Sequence, residues 1–379
     1  MAKQSELAFE KEAKKPQAKD EFAESCRPLA DLLDSVRNIE GFPIGKDEDI
    51  LALSDPPYYT ACPNPYINDF IARYSQPYDE ANDSYERTPY VGDISEGKND
   101  PIYNAHSYHT KVPHKAIKPF IKHYTEVGDI VFDGFCGTGM TGVAAQMLGR
   151  KAILSDLSPA ATFIAYNYNT PVDVAEFERE ARRILGEVEK ECGWMYETLH
   201  SDGKSKGRIN YTVWSDVFIC PYCNNEYVFW EAAVDKKAGE VNDEYPCPHC
   251  QAVINKREIN RAQVVLKDSV LGQEIVQALQ VPVLIQYSLG NKRYEKAPDK
   301  YDLDLIDKIN NLAIPYWFPS DKVPVGYNTE QPKRSHGVTH VHHFYTKRNL
   351  WVLAVLYNKC AWKDKLVFQS IVTTLCSRL

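Results

Sequence analysis

EVGDIVFDGFCGTGMTGVAAQMLGRKAILSDLS, residues 126–158, decides the fold. An apolar run from Asp129 to Asp133 breaks into a glycine loop, Gly134 to Gly139. A helical stretch follows from Met140 to Leu148 until Gly149 stops it, and a second apolar run from Lys151 to Ser155 ends at Asp156. Strand, loop, helix and strand in that order open a parallel α/β sheet, with an acid at the tip of each strand. Glycine suits a backbone that must turn tightly or approach a ligand without a Cβ in the way. An acid at the second strand tip can accept two hydrogen bonds from a ribose diol. Gly137, Gly139 and Gly142 also spell GxGxxG, with Asp156 near the distance a dinucleotide site uses. A nicotinamide or flavin ligand and a ligand-free glycine turn therefore stand beside a nucleoside ligand. Asp133 weighs against a pyrophosphate, because a carboxylate just before the loop faces an amine more comfortably than a phosphate.

The second informative stretch is LALSDPPYYTACPNPY, residues 51–66. It reads as a short apolar strand ending at Leu53, followed by a turn that two consecutive prolines keep out of both helix and ladder. Asp55 opens this turn and Tyr58 and Tyr59 close it. Tyr59 reads as core.

The third is a pair of CxxC knuckles, Cys220 and Cys223 in CPYC and Cys247 and Cys250 in CPHC. Four thiolates at this spacing fit a closed tetrahedral zinc site of structural type, against which stand a redox pair or a metal-free turn. His249 is a weaker substitute ligand. Cys26, Cys62, Cys136, Cys192, Cys360 and Cys376 have no partner spacing and read as packing.

Taken together, DPPY at 55–58, HKAIKPF at 114–120, FDGFCGTGMTG at 132–142 and the cysteine knuckles resemble the beta-type amino-methyltransferases of adenine N6 or cytosine N4 in DNA. The form with an added zinc ribbon, the zinc-ribbon adenine-specific DNA methylases, is the nearest likeness. The resemblance implies a Rossmann-like α/β core using S-adenosylmethionine, interrupted by an inserted zinc ribbon. It implies that Asp133, Gly137 and Gly139 line the cofactor site, that Asp156 holds the ribose hydroxyls and that Lys118 and Phe120 close the methionine or adenine side. Asp55, Pro56, Pro57 and Tyr58 become the catalytic loop, acting on a DNA base turned out of the duplex. Adenine is favoured because Asp rather than Ser precedes the prolines. The resemblance also implies restriction or phage defence, with partner subunits. The alternatives are the same chemistry on RNA or a protein amide, or a zinc-ribbon DNA-binding or assembly subunit with an incomplete methyltransferase site.

One departure stands out. The interval between DPPY and the glycine loop is too short for the remaining strands of a seven-stranded sheet. Residues 259–379, or sequence past Leu379, are expected to supply them. The family's chains are longer and carry a second DPPY-like motif, so this chain is expected to be a piece of a longer protein, which leaves open which copy is catalytic and whether the piece is active alone.

The remaining organisation reads as follows. Residues 1–40 form a charged helical leader and 41–172 the methyltransferase core. Residues 173–215 hold one long amphipathic helix to about His200 and a polar linker, SDGKSKGR; 216–258 are the zinc ribbon, and 259–379 a mixed α/β continuation. The start of the chain lacks the apolar segment of a signal peptide and no run approaches the ~18 apolar residues of a membrane span, which implies a cytosolic protein with reduced thiols. A net charge of −8 weighs against a protein that coats nucleic acid, without excluding a local basic face. His336, His340, His342 and His343 look like a metal cluster at first sight, but no second cluster of acids or histidines accompanies them, so a surface loop at a helix start is favoured over a metal site. Thr346, Lys347, Arg348 and Asn349 read equally as phosphate contacts or as a solvated helix start. YNAHSYHTKV, 103–112, reads as a lid or DNA-facing loop without an assigned residue.

Overall fold

The computed structural model describes residues 20–94, 99–106, 108, 111–235 and 238–360. The chain divides into two units, one up to Val172 and one from Asp173 onward.

Unit 1 runs α1 (Glu21–Ser25), α2 (Leu33–Val36), α3 (Asp47–Leu53), α4 (Ile67–Tyr74), α5 (Pro101–Asn104), α6 (His114–Tyr124), β1 (Ile130–Asp133), α7 (Met140–Met147), β2 (Lys151–Leu154) and α8 (Pro159–Asn169). β1 and β2 are parallel neighbours, Ile130 opposite Lys151 and Asp133 opposite Leu154. The βαβ unit of the sequence reading is therefore present, its helix ending at Gly149 with φ +71°. Helix α6 buries Ile121 against Ala144 and Ala145 of α7, with Val131 and Ala152 of the two strands beside them. α8 starts at Ser158, whose hydroxyl accepts the Ala161 amide at 3.3 Å, with Pro159 in the first turn.

Two expectations change here. Leu51–Leu53 is the end of helix α3 rather than of a strand. Its first turn carries Asp47, Glu48 and Asp49, which favour the positive end of a helix, and Ile50 faces the core. The residues expected as a leader are, from Asp20 on, part of a core. Phe22, Leu29, Leu33 and Val36 pack with Ile50, Cys62 and Tyr66, and the Tyr66 hydroxyl donates to the Arg27 carbonyl at 2.9 Å. Each such apolar side chain contributes about 1.5–3 kcal/mol on burial.

Unit 2 runs α9 (Val174–Cys192), β3 (Glu197–Leu199), β4 (Lys206–Ile219), β5 (Glu226–Val228), α10 (Phe229–Ala233), β6 (Val234–Asp235), β7 (Glu240–Val241), β8 (Glu244–Pro246), β9 (Val253–Asn255), β10 (Asn260–Arg261), β11 (Gln263–Asp268), β12 (Gln273–Ala278), β13 (Gln280–Leu289), β14 (Lys292–Lys296), α11 (Lys300–Asn311), α12 (Tyr327–His336) and α13 (Lys347–Lys359). The 14-residue β4 organises it, pairing antiparallel with β13, β3, β5 and β10. Ile184, Val188 and Cys192 of α9 meet Ile309 of α11 and Trp351 and Val355 of α13 in one core.

The long helix stops at Cys192, eight residues before the expected end at His200. A 3-10 turn, Gly193–Tyr196, and strand β3 follow it. SDGKSKGR is not a linker: its first five residues make the turn of the β3–β4 hairpin, closed by the His200 amide on the Ser205 carbonyl at 2.8 Å, and its last three begin β4. Nor do the described residues after 259 extend the β1–β2 sheet: β10 and β13 pair with β4, β14 with β13, and β11 with β12. Residues 361–379 lie outside the described residues. Among the described residues, the sheet beneath the glycine loop has two strands, and no helix is long and apolar enough to cross a membrane.

Candidate active site and metal centre

The glycine loop is tied down by the two strand-tip acids. Asp133 accepts the Phe135 amide at 3.1 Å with Oδ1 and the Thr141 hydroxyl at 2.6 Å with Oδ2. Asp156 accepts the Gly137 amide at 2.9 Å and the Ser158 amide at 2.9 Å, one on each oxygen. A carboxylate has about four lone-pair sites, so each acid keeps capacity for a ligand donor. Between them Cys136 is buried, and burial, with both acids nearby, pushes its thiol up to about 12, which removes it as a nucleophile at neutral pH.

The glycines divide by role. Gly137 and Gly139 have φ of +50° and +76°. A Cβ at Gly139 would stand 2.7 Å from Ala165 Cβ, and one at Gly142 would stand 2.6 Å from Asn169 Oδ1. Gly139 and Gly142 are thus required for α7 to lie against α8. Asn169 completes the contact by donating to the Gly139 carbonyl at 3.2 Å. Gly139→Ala is expected to cost about 1–3 kcal/mol in urea unfolding, through overpacking and a left-handed backbone; a neutral result would remove α8 as the loop's support.

The DPPY turn is held by the same helix, through Tyr166. The Asp55 amide donates to the Tyr59 carbonyl at 2.8 Å and the Tyr59 amide returns a bond at 3.0 Å. Tyr59 is buried and stacks on Tyr166 of α8, ring centroids 4.6 Å apart, and the Tyr166 hydroxyl donates to the Asp55 carboxylate. Asn64 donates to the Pro57 carbonyl at 3.0 Å, fixing the far side of the turn. Tyr58 differs from Tyr59. Its ring is half exposed, and its hydroxyl donates to Asp20 at 3.0 Å. The turn therefore offers solvent one acid and one aromatic face.

The 103–112 stretch supplies residues that the sequence reading did not assign. Tyr108 stands 3.5 Å from where a Gly137 Cβ would lie. His106 is buried against Tyr168 of α8, and burial lowers its pKa to about 4, so it is neutral. Both its ring nitrogens, and the Thr138 hydroxyl of the loop, are buried with no partner among the described residues. Such orphaned groups fit a site that completes its hydrogen bonds with a polar ligand. Lys118 and Phe120 lie on α6, which packs on α7; Phe120 packs on Tyr90, centroids 4.9 Å apart.

The four cysteines converge. Cys220 and Cys223 follow β4 and Cys247 and Cys250 follow β8, each pair in a tight turn whose fifth residue, Asn224 or Gln251, has positive φ. The two knuckles repeat the same bonds: the Cys220 amide to the Asn225 carbonyl and the Cys247 amide to the Ala252 carbonyl, both 2.9 Å. Sulfurs of Cys220 and Cys250, and of Cys223 and Cys247, are 3.8 Å apart. Four sulfurs about 2.3 Å from a tetrahedral centre would be separated by about 3.8 Å, so the cluster could hold zinc with no open position. His249 faces the Glu226 carbonyl at 3.0 Å instead. Behind the cluster, Phe218, Tyr227, Tyr245 and Ile254 form a small core.

Two weaker readings are corrected. Arg348 is turned inward, over the Tyr196 ring at 4.7 Å and donating to Thr212 Oγ1 at 3.1 Å, and the Tyr196 hydroxyl donates to Asn349. Thr346 caps α13 and Lys347 donates to the Asn310 carbonyl at 2.9 Å. These four side chains build the unit and do not form a phosphate-facing set. Two of the four histidines are not surface residues either: the side chains of His342 and His343 are buried against Asp268.

Residues 4–167 match the family model for N6- and N4-directed methylases, described as DNA methylase. The match ends within α8, two residues before Asn169, so it covers unit 1 up to its last helix and none of unit 2. Neither a curated protein nor a solved structure matches the chain in these comparisons.

Proposed function

We propose that the chain is an S-adenosylmethionine-dependent amino-methyltransferase acting on DNA, with adenine N6 favoured over cytosine N4. The match over residues 4–167 supports the class. The observation that carries the reading is that α8 braces both halves of the site: Ala165 and Asn169 support the glycine loop while Tyr166 holds the Asp55 carboxylate. In this reading Asp133, Gly137 and Gly139 line the cofactor site, Asp156 holds the ribose diol, and Lys118 and Phe120 close its far side. Bound S-adenosylmethionine would supply an electrophilic methyl group. The chain's own residues must then activate an exocyclic amine whose lone pair is delocalised into the base. The Asp55 carboxylate and the Pro56 carbonyl accept its two N–H bonds and favour a pyramidal nitrogen. Pro56 and Pro57 fix the turn and bring no competing N–H. Tyr58 offers a face for the base once it leaves the stack, worth about 1–3 kcal/mol. Cys220, Cys223, Cys247 and Cys250 hold a structural Zn2+. A role in restriction or phage defence, with partner subunits, follows from the resemblance.

Calorimetry of S-adenosylmethionine against the zinc-loaded chain tests the cofactor site. Binding to the wild type and its loss in Asp133→Ala are the expected results. No binding, or NAD in its place, would return the glycine loop to a dinucleotide or packing role. Methyl transfer to RNA but not to duplex DNA would move the substrate. DNA binding with steep salt dependence and no cofactor binding would favour an assembly subunit. Cofactor binding without transfer would fit a core whose two described strands need completion.

A further inference from the structure

We infer a second metal site in unit 2, formed by Asp268, His342 and His343, that takes a divalent transition-metal ion with open coordination positions. Asp268 ends β11, and its Oδ1 is fully committed to the turn that follows, accepting the Val270 amide at 2.8 Å and the Leu271 amide at 3.0 Å. This leaves Oδ2 fixed in direction. The Nε2 atoms of His342 and His343 both stand 2.9 Å from Oδ2. Adjacent residues seldom point their side chains at one spot; here the 3-10 turn Val341–Phe344 brings the two rings to 4.3 Å, centroid to centroid. The three ligand atoms lie within 4.8 Å of one another. Asp268 and His342 are buried, and the His343 side chain is 3% exposed.

The two Nε2–Oδ2 distances fit ligands that sit cis to each other on an octahedral ion. With bonds of about 2.0–2.1 Å, ligand atoms at a right angle stand about 2.9 Å apart. Two histidines and one carboxylate on one face leave the opposite positions open, the arrangement that suits iron, manganese or cobalt. Those positions have room: the cluster borders a cavity of about 620 Å³, walled by Leu266, Ile275, Phe318 and Lys347. A histidine ligand needs an acceptor for its other ring nitrogen. At His343 Nδ1 stand the Thr339 hydroxyl at 3.4 Å, which can accept, and the Thr339 amide at 3.3 Å, which serves the metal-free ring; His342 Nδ1 is buried with no partner among the described residues, so this support is present at His343 alone. The competing reading is a metal-free clamp in which both imidazoles donate to Oδ2.

Metal stoichiometry of the full, tag-free chain separates the two. On titration with Co(II), the expected result is two equivalents, one with an intense thiolate charge-transfer band from the cysteine site and one without it. Asp268→Asn and His343→Gln should each take up one equivalent with the thiolate band intact, and with a wild-type circular dichroism spectrum and unfolding midpoint to show that unit 2 is folded. In the wild type, Mn(II) should selectively broaden the imidazole resonances of His342 and His343, which locates the ion without a substitution. A wild type that saturates at one equivalent, all of it thiolate-bound, overturns the inference. So does a second equivalent that persists in both variants.

Discussion

Asp55→Asn is expected to lower methyl transfer to DNA by at least about a hundredfold to a thousandfold, the loss typical when one preorganised polar group is removed from a reacting centre. S-adenosylmethionine affinity should stay within about threefold. The two effects separate because Asp55 belongs to the DPPY turn, while Asp133, Gly137 and Asp156 are bonded within the glycine loop. Asparagine keeps the shape and can still take the Tyr166 hydroxyl bond with its carbonyl oxygen. Its amide, however, points N–H groups where the amine of the base needs an acceptor, so the defect should fall on kcat rather than on cofactor binding. Tyr166→Phe removes only the group that orients the carboxylate, and should cost less than Asp55→Asn, again in kcat. Steady-state kinetics beside cofactor calorimetry checks both. If Asp55→Asn methylates at the wild-type rate, the turn is a corner of the fold and the catalytic acid lies elsewhere.

The sequence was most legible where local chemistry and fold agree. β1, the glycine loop, α7 and β2 appear at the expected positions because strand, loop and helix signals all sit within residues 126–158. The cysteine knuckles were equally legible, since a CxxC turn fixes its own geometry. What could not be read depends on partners far away in sequence. Asp268 lies 74 positions before His342, with nothing local to mark it, so the histidines read as surface. Tyr166 has the spacing of an ordinary core aromatic, and only its meeting with Asp55 makes it part of the site. Gly139 read as a ligand glycine and Gly142 as the last position of a GxGxxG pattern, but the first obligation of both is to α8. The misread helix at Leu51–Leu53 came from weighing three apolar letters above the acidic turn before them.

Cys247→Ser is expected to abolish zinc binding at the cysteine cluster and to melt the hairpins that carry it, β4–β5 around Phe218 and Tyr227 and β8–β9 around Tyr245 and Ile254. Cys247 is fully buried, so the serine hydroxyl would be left among apolar groups with a poor metal affinity. The small core behind the cluster is too slight to hold two hairpins alone: Phe218, Tyr227, Tyr245 and Ile254 are its main buried side chains besides the cysteines themselves. Zinc binding in such sites supplies about 10–16 kcal/mol of apparent free energy at neutral pH, which is folding free energy when no preformed site exists without the ion. Because β4 runs without a break from the zinc knuckle into its pairing with β13, the damage should spread from residues 217–228 into the β4–β13 ladder. Hydrogen exchange should show the hairpins losing protection first and the ladder next, and chelation of the wild type should reproduce the pattern. Cys250→Ser should be milder, since Cys250 is exposed and water can replace its sulfur at the metal. Unchanged protection across 217–228 and 244–255 after complete zinc removal would mean that the knuckles fold on hydrogen bonds and packing alone, and the cluster would lose its structural role.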